Sequence, residues 1–381
     1  MPQWPGILFW QFEYMRMTSL SVFLIAILAQ PGPAVLTDFN GDWFHMARIT
    51  PQGYVCHRTA EPIVIDGQVD EQAWKKAPWT AYFRDIEGDR KPEPLHKTRA
   101  KLLWDDRYLY VHAEMEEPHV WGTITHKNTV MFHDNDFEVF IDPNGDNHNY
   151  YEFEMNALNS IWELSLAKPY KDGGKVTDPH NLAGVKSAVH VRGTFNNPAD
   201  KDEGWSVEIA FPLSELKQFA GNTPCPPRDG DYWRLGFSRV EWQTKVIDGK
   251  YEKIPNTKEF NWVWSPQGLI DMHRPERWGV IQFTTKPPGE PVTFVMDPTL
   301  PARDLLMGVY HRQRAFFQKY GRWADNITAL GMADMKHESV AEPIKIKLSG
   351  NDYLATAKVR MSNGKARTLH TRSDSKLWLG E

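Results

Sequence analysis

The sequence predicts a mainly β protein, an antiparallel β-sandwich over residues 61–285 followed by a small α+β domain over residues 292–381. Three observations predict this fold class. Short segments of the first region alternate apolar and polar residues with a period of two, as strands do when one face packs on a core. Glycine, proline, asparagine and aspartate separate these segments, as in sandwiches of many strands. Beyond residue 286 the apolar spacing becomes that of a helix.

The strands of the first region can be placed in order. Residues 99–104 and 108–115 are apolar runs joined by Asp-Asp-Arg, which predicts a hairpin. In residues 136–142 (DFEVFID) the odd-numbered positions are apolar, so we expect one buried face and one face in water. The same alternation occurs in residues 151–156, 206–211, 233–240 and 280–283. A short helix is predicted at residues 213–219, after Pro212.

A linker and a small domain follow the sandwich. Residues 286–291 (KPPGEP) have the composition of a linker. Residues 301–320 predict a helix with an apolar stripe that ends at Gly321. Strands are predicted at residues 344–348, 353–359 and 366–371, with Gly-Asn and Asn-Gly turns at 350–351 and 363–364. A domain of about 90 residues is near the lower size limit for an independent core, so it folds alone or docks on the sandwich.

The N-terminus has the features of an export signal. Residues 20–28 (LSVFLIAIL) are too short to span a bilayer and have the length of a signal-peptide core. We expect residues 1–34 to be a signal peptide, with translation starting at Met15 or Met17. Residues 35–60 show no clear periodicity and are predicted to be an extended lead-in. The sequence thus predicts a periplasmic or extracellular protein with no membrane span after cleavage.

Composition limits the classes of function. The 381 residues carry 44 basic and 49 acidic side chains, a net charge of −5, which argues against a nucleic-acid binder that follows phosphates. Two cysteines, Cys56 and Cys225, exclude a disulfide-rich scaffold and either pair after export or stay free. Sixteen tryptophans suit either the binding of flat, hydroxylated ligands or the filling of a large core.

Acidic side chains recur on the polar faces of the predicted strands. They are Asp136, Glu138, Glu152, Glu154 and Glu208. Two carboxylates on either side of a sugar would be the catalytic pair of a glycosidase. Carboxylates at such positions are more often solvated or paired across strands, and we favour that interpretation.

An oxygen-rich loop joins two strands at residues 142–148. Asp142, Asn144 and Asp146 alternate there, a pattern that can surround Ca²⁺ but also forms an ordinary turn. It does not have the spacing of an EF-hand. A calcium site, if the protein has one, is predicted at these residues or at Asp134 and Asp136, just before the strand.

Several aromatic residues lie in predicted loops or at strand ends, where binding residues concentrate on a rigid scaffold. They are Trp121, Phe132, Trp262, Trp264, His273 and Trp278. Trp262 and Trp264 share one strand face, so one of them could belong to the core. We expect at least one member of this set to form a platform for a sugar ring.

Five motifs, in this order, resemble those of family 9 carbohydrate-binding modules. They are PIVIDG at 62–67 with Trp74, LWDDRYLY at 103–110, NDFEVFID at 135–142, GWSVEIAFP at 204–212, and WSP at 264–266 with Trp278, Gly279 and Phe283. Together they cover residues 61–285. The resemblance implies a β-sandwich, binding of sugars or polysaccharides, and structural calcium.

The resemblance also implies a binding site. In characterised sugar-binding modules of the family, two tryptophans hold a terminal sugar ring, and their positions fall here on Phe132 and Met272. His273 adjoins the second position, and an acidic residue that holds sugar hydroxyls corresponds to Glu138. A neighbouring arginine of the family is replaced by Glu154. The further candidates for ligand binding are Trp121 and Trp264.

As a whole, the sequence predicts an exported, non-catalytic protein that binds a polysaccharide or oligosaccharide in support of glycan degradation. The alternatives are a glycoside hydrolase of the xylanase type and a structural or interaction protein that uses its C-terminal domain. The chain outside the sandwich is too short for a separate catalytic barrel. The C-terminal domain shows no pair of carboxylates at strand ends.

Overall fold

The computed structural model of the chain describes residues 43–361 and 364–380, and these belong to one compact unit. The predicted signal peptide (1–34), the start at Met15 or Met17 and the first part of the lead-in lie outside the described residues. So does Asn363 of the second predicted turn.

The regular elements are numbered here in chain order. The helices are α1 (Trp43–Met46), α2 (Gln72–Lys76), α3 (Leu213–Leu216) and α4 (Leu300–Tyr320). The strands up to residue 192 are β1 (Gly53–Arg58), β2 (Arg84–Asp85), β3 (Thr98–Trp104), β4 (Tyr108–Glu116), β5 (Asp136–Asp142), β6 (Tyr150–Asn156), β7 (Ile161–Leu166), β8 (Val176–Thr177) and β9 (Lys186–Arg192). The others are β10 (Gly204–Pro212), β11 (Tyr232–Glu241), β12 (Thr244–Ile247), β13 (Lys250–Lys253), β14 (Phe260–Val263), β15 (Gly279–Thr284), β16 (Lys345–Ser349), β17 (Asp352–Arg360), β18 (Ala366–Arg372) and β19 (Leu377–Leu379).

One large sheet holds thirteen of these strands. Its order is β8-β7-β6-β5-β11-β15-β1-β3-β4-β10-β9, with β14 paired to β11 and β2 paired to β14. Neighbours are antiparallel, except that β1 lies parallel to both β15 and β3. The sheet curls over a core, and Phe153 of β6 meets Phe211 of β10 with ring centroids 5.3 Å apart. The mainly β fold class is confirmed, and its two layers belong to a single curled sheet.

The inner residues of β5 and β10 show why these segments form strands. Phe137, Val139 and Ile141 alternate along β5 and are fully buried in the core. Val207 and Ile209 do the same along β10, in the opposite layer. Each layer therefore covers the apolar face of the other, which is the burial that stabilises a sandwich.

The outer face of β5 differs from expectation, because it does not face water. Every residue of β5 is buried, including Asp136, Glu138 and Phe140. The segment around Trp278 covers part of this face, with its indole 5.3 Å from the ring of Phe140. A second, smaller apolar cluster thus lies outside the main core, beside buried carboxylates.

The segment predicted as an extended lead-in also differs from expectation. Residues 53–58 form β1 in the middle of the large sheet, where Tyr54 and Cys56 enter the main core. Trp43 and Met46 of α1 are buried in the C-terminal core instead. The alternation in β1 is too short to recognise, and its partner β15 lies more than 200 residues away in the sequence.

The C-terminal segment contains the predicted helix and strand meander, and its α+β character is confirmed. Helix α4 packs on the four-stranded sheet β16–β19, whose inward residues include Tyr353, Ala355 and Val359. A backbone hydrogen bond joins this segment to the sandwich, since Leu377 N donates to Asp146 O at 3.0 Å.

Among the described helices, α4 included, none combines the length and apolarity needed to cross a bilayer.

The two cysteines, whose pairing the sequence leaves open, are free thiols. Cys56 is fully buried in the main core. Cys225 is half-buried, and its Sγ donates to Leu213 O at 3.1 Å.

His112 of β4 lies buried on the outer face of the sheet. Its ring contacts the indoles of Trp74 and Trp79, with centroids 5.9 and 5.8 Å away. Burial lowers the pKa of His112 to about 3, and nearby positive charges contribute. These charges belong to Lys101, Arg192 and Arg99.

We expect His112 to make the protein sensitive to acid. The pKa of His112 is 6.5 in the unfolded state and about 3 in the folded state, so between these pH values the folded state binds fewer protons than the unfolded state. The free energy of unfolding is therefore at its full value above pH 6.5 and decreases as the pH falls below it. The loss from this group is on the order of 3 kcal/mol at about pH 4. His112→Phe keeps a ring but cannot titrate. Between pH 6.5 and about pH 4, the denaturant concentration at the unfolding midpoint should therefore fall less in this variant than in the wild type. Equal losses in both proteins would contradict the assignment.

Candidate ligand-binding cleft

Four carboxylates lie together on the outer face of β5 and β6, and we call Asp136, Glu138, Glu152 and Glu154 the acidic floor. Glu138 is directly opposite Glu154 in the antiparallel register, and the other two occupy the next positions on that face. Because side chains alternate along a strand, all four point away from the main core. None of them is more than 5% exposed.

Burial dominates the electrostatics of the acidic floor. It raises the pKa of Glu138 to about 7, although the Ser238 hydroxyl partly offsets this effect. Burial also raises the pKa of the other three carboxyls well above their ordinary values, and the charge of Glu138 adds to each shift. The charged side chains that shift these four pKa values most are all acidic.

Several oxygens of the acidic floor have no hydrogen-bond partner among the described residues. They are both carboxylate oxygens of Asp136 and the Oε2 atoms of Glu138, Glu152 and Glu154. The Ser238 hydroxyl lies opposite Glu138 on β11 and is the group that partly offsets the effect of burial on that carboxyl's pKa. Buried polar groups are costly unless they are paired, so the floor can still accept hydrogen bonds or coordinate a ligand.

Phe132 borders the floor at its Asp136 end. It lies in a short turn before β5, is 37% exposed, and contacts the ring of His133 with centroids 4.8 Å apart. Its carbonyl oxygen accepts a hydrogen bond from Trp242 Nε1 at 2.8 Å. Lys253 Nζ lies 3.7 Å from the centre of that half-buried indole. This end of the floor therefore carries two partly exposed aromatic rings.

Tyr170 borders the floor at the opposite end, on the loop after β7. It is 49% exposed and meets the ring of His273 edge-on, with centroids 4.5 Å apart. His273 Nδ1 is hydrogen-bonded to the Tyr150 hydroxyl at 2.9 Å. Burial, followed by the charges of Glu152 and Glu154, raises the pKa of Tyr170 to about 12, so its hydroxyl lies near the floor.

We call the acidic floor and its two aromatic ends the cleft. Along β5, Asp136 and Phe140 mark the ends and are four residues apart, or about 13 Å in a strand. Met272 is half-buried at the Phe140 end and packs in the small outer cluster with Trp278. Of the predicted ligand-binding residues, the structure thus brings Phe132, Glu138, Met272 and His273 to one face of the sheet.

Two predicted ligand-binding residues, Trp121 and Trp264, lie elsewhere. Trp264 is buried in the main core, where its Nε1 donates to Leu235 O at 3.0 Å. Trp121 is also buried. Neither indole offers an open face to a sugar ring, which corrects their prediction as platforms. Trp262 and Trp278 are buried too, so all four tryptophans predicted as platforms pack inside the protein.

The predicted metal-binding residues have different surroundings. Asp134 accepts hydrogen bonds from Thr123 N, Thr123 Oγ1, Ile124 N and Asn156 Nδ2, all within 3.0 Å. In the 142–148 loop, Asp142 accepts from Gly145 N and Asn147 N. Asn144 Oδ1 accepts a hydrogen bond from Asp146 N, and Asp146 Oδ1 accepts one from His148 N. Asp136 alone of the predicted set has both carboxylate oxygens without a donor.

Sequence reasoning did not identify Tyr170 and Trp242 as candidates. Tyr170 stands in the turn-rich segment PYKDGG at 169–174, which could have indicated an aromatic residue on a loop. Trp242 directly follows β11, and only the pairing of β11 with β5 brings it beside Phe132.

Glu208, which belonged to the acidic set considered for glycosidase chemistry, is separated from the cleft. It lies on the outer face of β10, in the layer opposite β5 and β6. Its carboxylate accepts hydrogen bonds from Trp74 Nε1, Asp66 N and Gly67 N at 2.7–3.1 Å. The core lies between Glu208 and Glu138, so these two carboxylates cannot act on one glycosidic bond.

The curled β-sheet places a polar floor between partly exposed aromatic rings, a combination that suits the binding of a ligand with apolar faces and hydroxyl groups. Comparison with known proteins gives the family of this module. Residues 65–237 match the family model described as carbohydrate family 9 binding domain-like. Residues 65–237 therefore form a domain like those of carbohydrate-binding family 9, as the resemblance implied.

Two curated proteins are similar to part of the chain. One is endo-1,4-beta-xylanase C of Paenibacillus barcinonensis, 37% identical over 154 residues, which are 40% of this chain and 12% of that protein. The other is exoglucanase XynX of Acetivibrio thermocellus, 33% identical over 185 residues, which are 48% of this chain and 14% of that protein. The chain thus spans only about a seventh or less of the length of these relatives.

Solved structures also resemble the chain. A family 9 carbohydrate-binding module from Caldicellulosiruptor kristjanssonii, in complex with cellotriose, has a TM-score of 0.41 and 16% identity and covers 64% of this chain and 100% of its own. A putative carbohydrate-binding protein from Bacteroides uniformis has a TM-score of 0.45 and 16% identity and covers 61% of this chain and 100% of its own.

Proposed function

We propose that the protein is an exported, non-catalytic carbohydrate-binding protein whose cleft recognises a polysaccharide or oligosaccharide. The observation that carries this proposal is the position of the cleft. Its floor of hydrogen-bond acceptors lies between exposed rings, within the segment that matches the carbohydrate-binding family.

The chemistry of the cleft suits a sugar. The C–H face of a sugar ring packs on an aromatic face over a desolvated area, and Phe132 and Tyr170 offer such faces. Sugar hydroxyls donate hydrogen bonds, and the unpartnered oxygens of Glu138 and Glu152 accept them. Met272 adds a soft apolar surface near Tyr170.

Two further features support export and a first choice of ligand. The apolar run at residues 20–28, followed by Pro-Gly-Pro, has the pattern of a signal peptide, so we place the mature protein in the periplasm or outside the cell.

The relatives are named as a xylanase and an exoglucanase, and one structural neighbour holds cellotriose. Xylan and cellulose fragments are therefore the first ligands to test.

Affinity electrophoresis in gels that contain xylan, cellulose derivatives or pectic glycans tests the proposal. We expect retarded migration in at least one gel and no release of reducing sugar from the same glycan. Normal migration in every gel would refute glycan binding. Sugar release that Glu138→Gln abolishes would replace a binding function with a hydrolytic one.

A further inference from the structure

We propose that the C-terminal end of helix α4 is a second glycan-binding surface, and that it takes an acidic polysaccharide whose sugars carry carboxylates, as uronic acids do. The surface consists of Phe317, Lys319, Tyr320 and Arg322, which we call the helix tip. All four residues are exposed. They belong to the C-terminal segment and not to the cleft, so the helix tip is a separate site.

The way in which α4 ends gives the helix tip a fixed shape. Gly321 has a φ of 67°, a left-handed conformation that favours glycine, and the helix stops there. The chain then turns back, and the indole of Trp323 lies against the ring of Phe317 with centroids 4.3 Å apart. Trp323 is itself held, because its Nε1 donates to Asn351 O at 2.8 Å. Phe317 is therefore supported from below although it is 41% exposed.

Tyr320 has the same kind of support. It is 40% exposed, and its ring contacts that of the buried Phe316 with centroids 4.5 Å apart. Residues three apart on a helix are neighbours on its surface, with Cβ atoms about 5–6 Å apart, so Tyr320 lies beside Phe317. The helix tip thus offers two adjacent aromatic faces, each backed by a buried ring. The C–H groups of a sugar ring pack well on such faces.

Positive charge accompanies the two rings. Lys319 and Arg322 lie on either side of Tyr320 in the sequence, and neither forms an ion pair with a described residue. Residues 311–323 contain no aspartate or glutamate. The C-terminal segment, residues 292–381, carries 14 basic and 9 acidic side chains in a chain whose net charge is −5. The helix tip therefore favours an anion, and a guanidinium pairs well with a planar carboxylate.

The choice of an acidic glycan among anionic partners rests on the proposed function. The floor of the cleft is made of carboxyl groups, which disfavour a sugar that carries a further carboxylate. The helix tip has the opposite preference. A polysaccharide with both neutral and acidic sugars would then have one surface for each kind, and binding at two linked sites is tighter than binding at either alone.

Affinity electrophoresis of the full chain in gels that contain polygalacturonate tests the helix tip. We expect retarded migration that weakens as salt is added. The double variant K319Q/R322Q should raise the dissociation constant about tenfold, because it removes two exposed charge contacts of modest strength. Phe317→Ala should raise it about fivefold through the loss of a packing face.

Matched controls test whether the effect is local. Arg228→Gln removes an exposed charge elsewhere, Tyr82→Ala removes an exposed ring elsewhere, and both should bind polygalacturonate as the wild type does. Phe132→Ala, in the cleft, should also leave this affinity unchanged. Polygalacturonate whose carboxylates have been reduced to alcohols is the uncharged control, and its binding should not respond to K319Q/R322Q.

The outcomes keep the two surfaces apart. Unretarded migration in polygalacturonate, or full affinity in K319Q/R322Q, would overturn the helix tip as a site for acidic glycans. A loss in Phe132→Ala alone would place the acidic glycan in the cleft and would overturn it as well. Sedimentation with phosphatidylglycerol vesicles that needs the helix tip, without retardation by polygalacturonate, would make the tip a membrane contact instead. Polygalacturonate binding at the helix tip without neutral-glycan binding in the cleft would refute the proposed function but not this inference.

Discussion

Phe132→Ala should weaken glycan binding about thirtyfold, while the melting temperature changes little. Removal of an aromatic anchor at a binding site commonly costs about 2 kcal/mol or more, which corresponds to that factor. Phe132 is 37% exposed and stands outside the main core, so truncation leaves no large cavity. Its backbone bond with Trp242 does not involve the ring and should persist. Calorimetric titration with the bound oligosaccharide and thermal melts check both parts.

Two further variants sharpen this test. Phe132→Trp offers a larger aromatic face at the same position and should hold or tighten binding. Tyr82→Ala removes a similarly exposed ring beside Arg99 of β3, away from the cleft, and should leave affinity unchanged. If Phe132→Ala lowered the melting temperature by several degrees at unchanged affinity, the ring would be a structural plug. The binding surface would then lie at the Tyr170 end.

The sequence was sufficient for features that depend on local pattern. Period-two alternation predicted β5 and β10 with their inward residues, and the apolar stripe predicted α4 to within one residue of its start. Phe132, which the sequence placed among the loop aromatics, lies in the turn before β5 and is partly exposed. These predictions need only the neighbours of each residue in the chain.

Features that depend on distant partners could not be predicted in this way. The alternation of β5 predicts a polar face, but it does not say that the segment around Trp278 covers part of that face and helps to bury Glu138. Strand β1 has no recognisable pattern until β15 and β3 flank it. The shared strand face of Trp262 and Trp264 predicted that one of them could belong to the core, and both indoles lie in it because of strands distant in the sequence.

A buried polar network joins the Tyr170 loop to the C-terminal segment. The side chain of Asp172 is fully buried and accepts hydrogen bonds from Tyr310 Oη of α4 and Ser375 Oγ, both at 2.6 Å. Lys171 Nζ, also buried, lies 2.8 Å from the same carboxylate. Burial acts to raise the pKa of Asp172, but the Lys171 charge and these hydrogen bonds outweigh it and lower the pKa. The loop that carries Tyr170 is thus fixed by the C-terminal segment.

Asp172→Asn should therefore destabilise the protein and also weaken glycan binding from a position outside the cleft. The substitution leaves the Lys171 ammonium buried, with Glu276 at 3.8 Å as its nearest remaining carboxylate, and loss of one partner of a buried ion pair costs about 3–5 kcal/mol. Because Tyr170 is two residues away, its ring should lose its fixed position. Leu109→Ala, a cavity in the main core on β4, costs a comparable 2–5 kcal/mol and is the matched control. Measured well below both melting temperatures, glycan affinity should fall severalfold in Asp172→Asn and stay constant in Leu109→Ala. If affinity fell equally in both, or in neither, the C-terminal segment would have no specific part in holding the cleft.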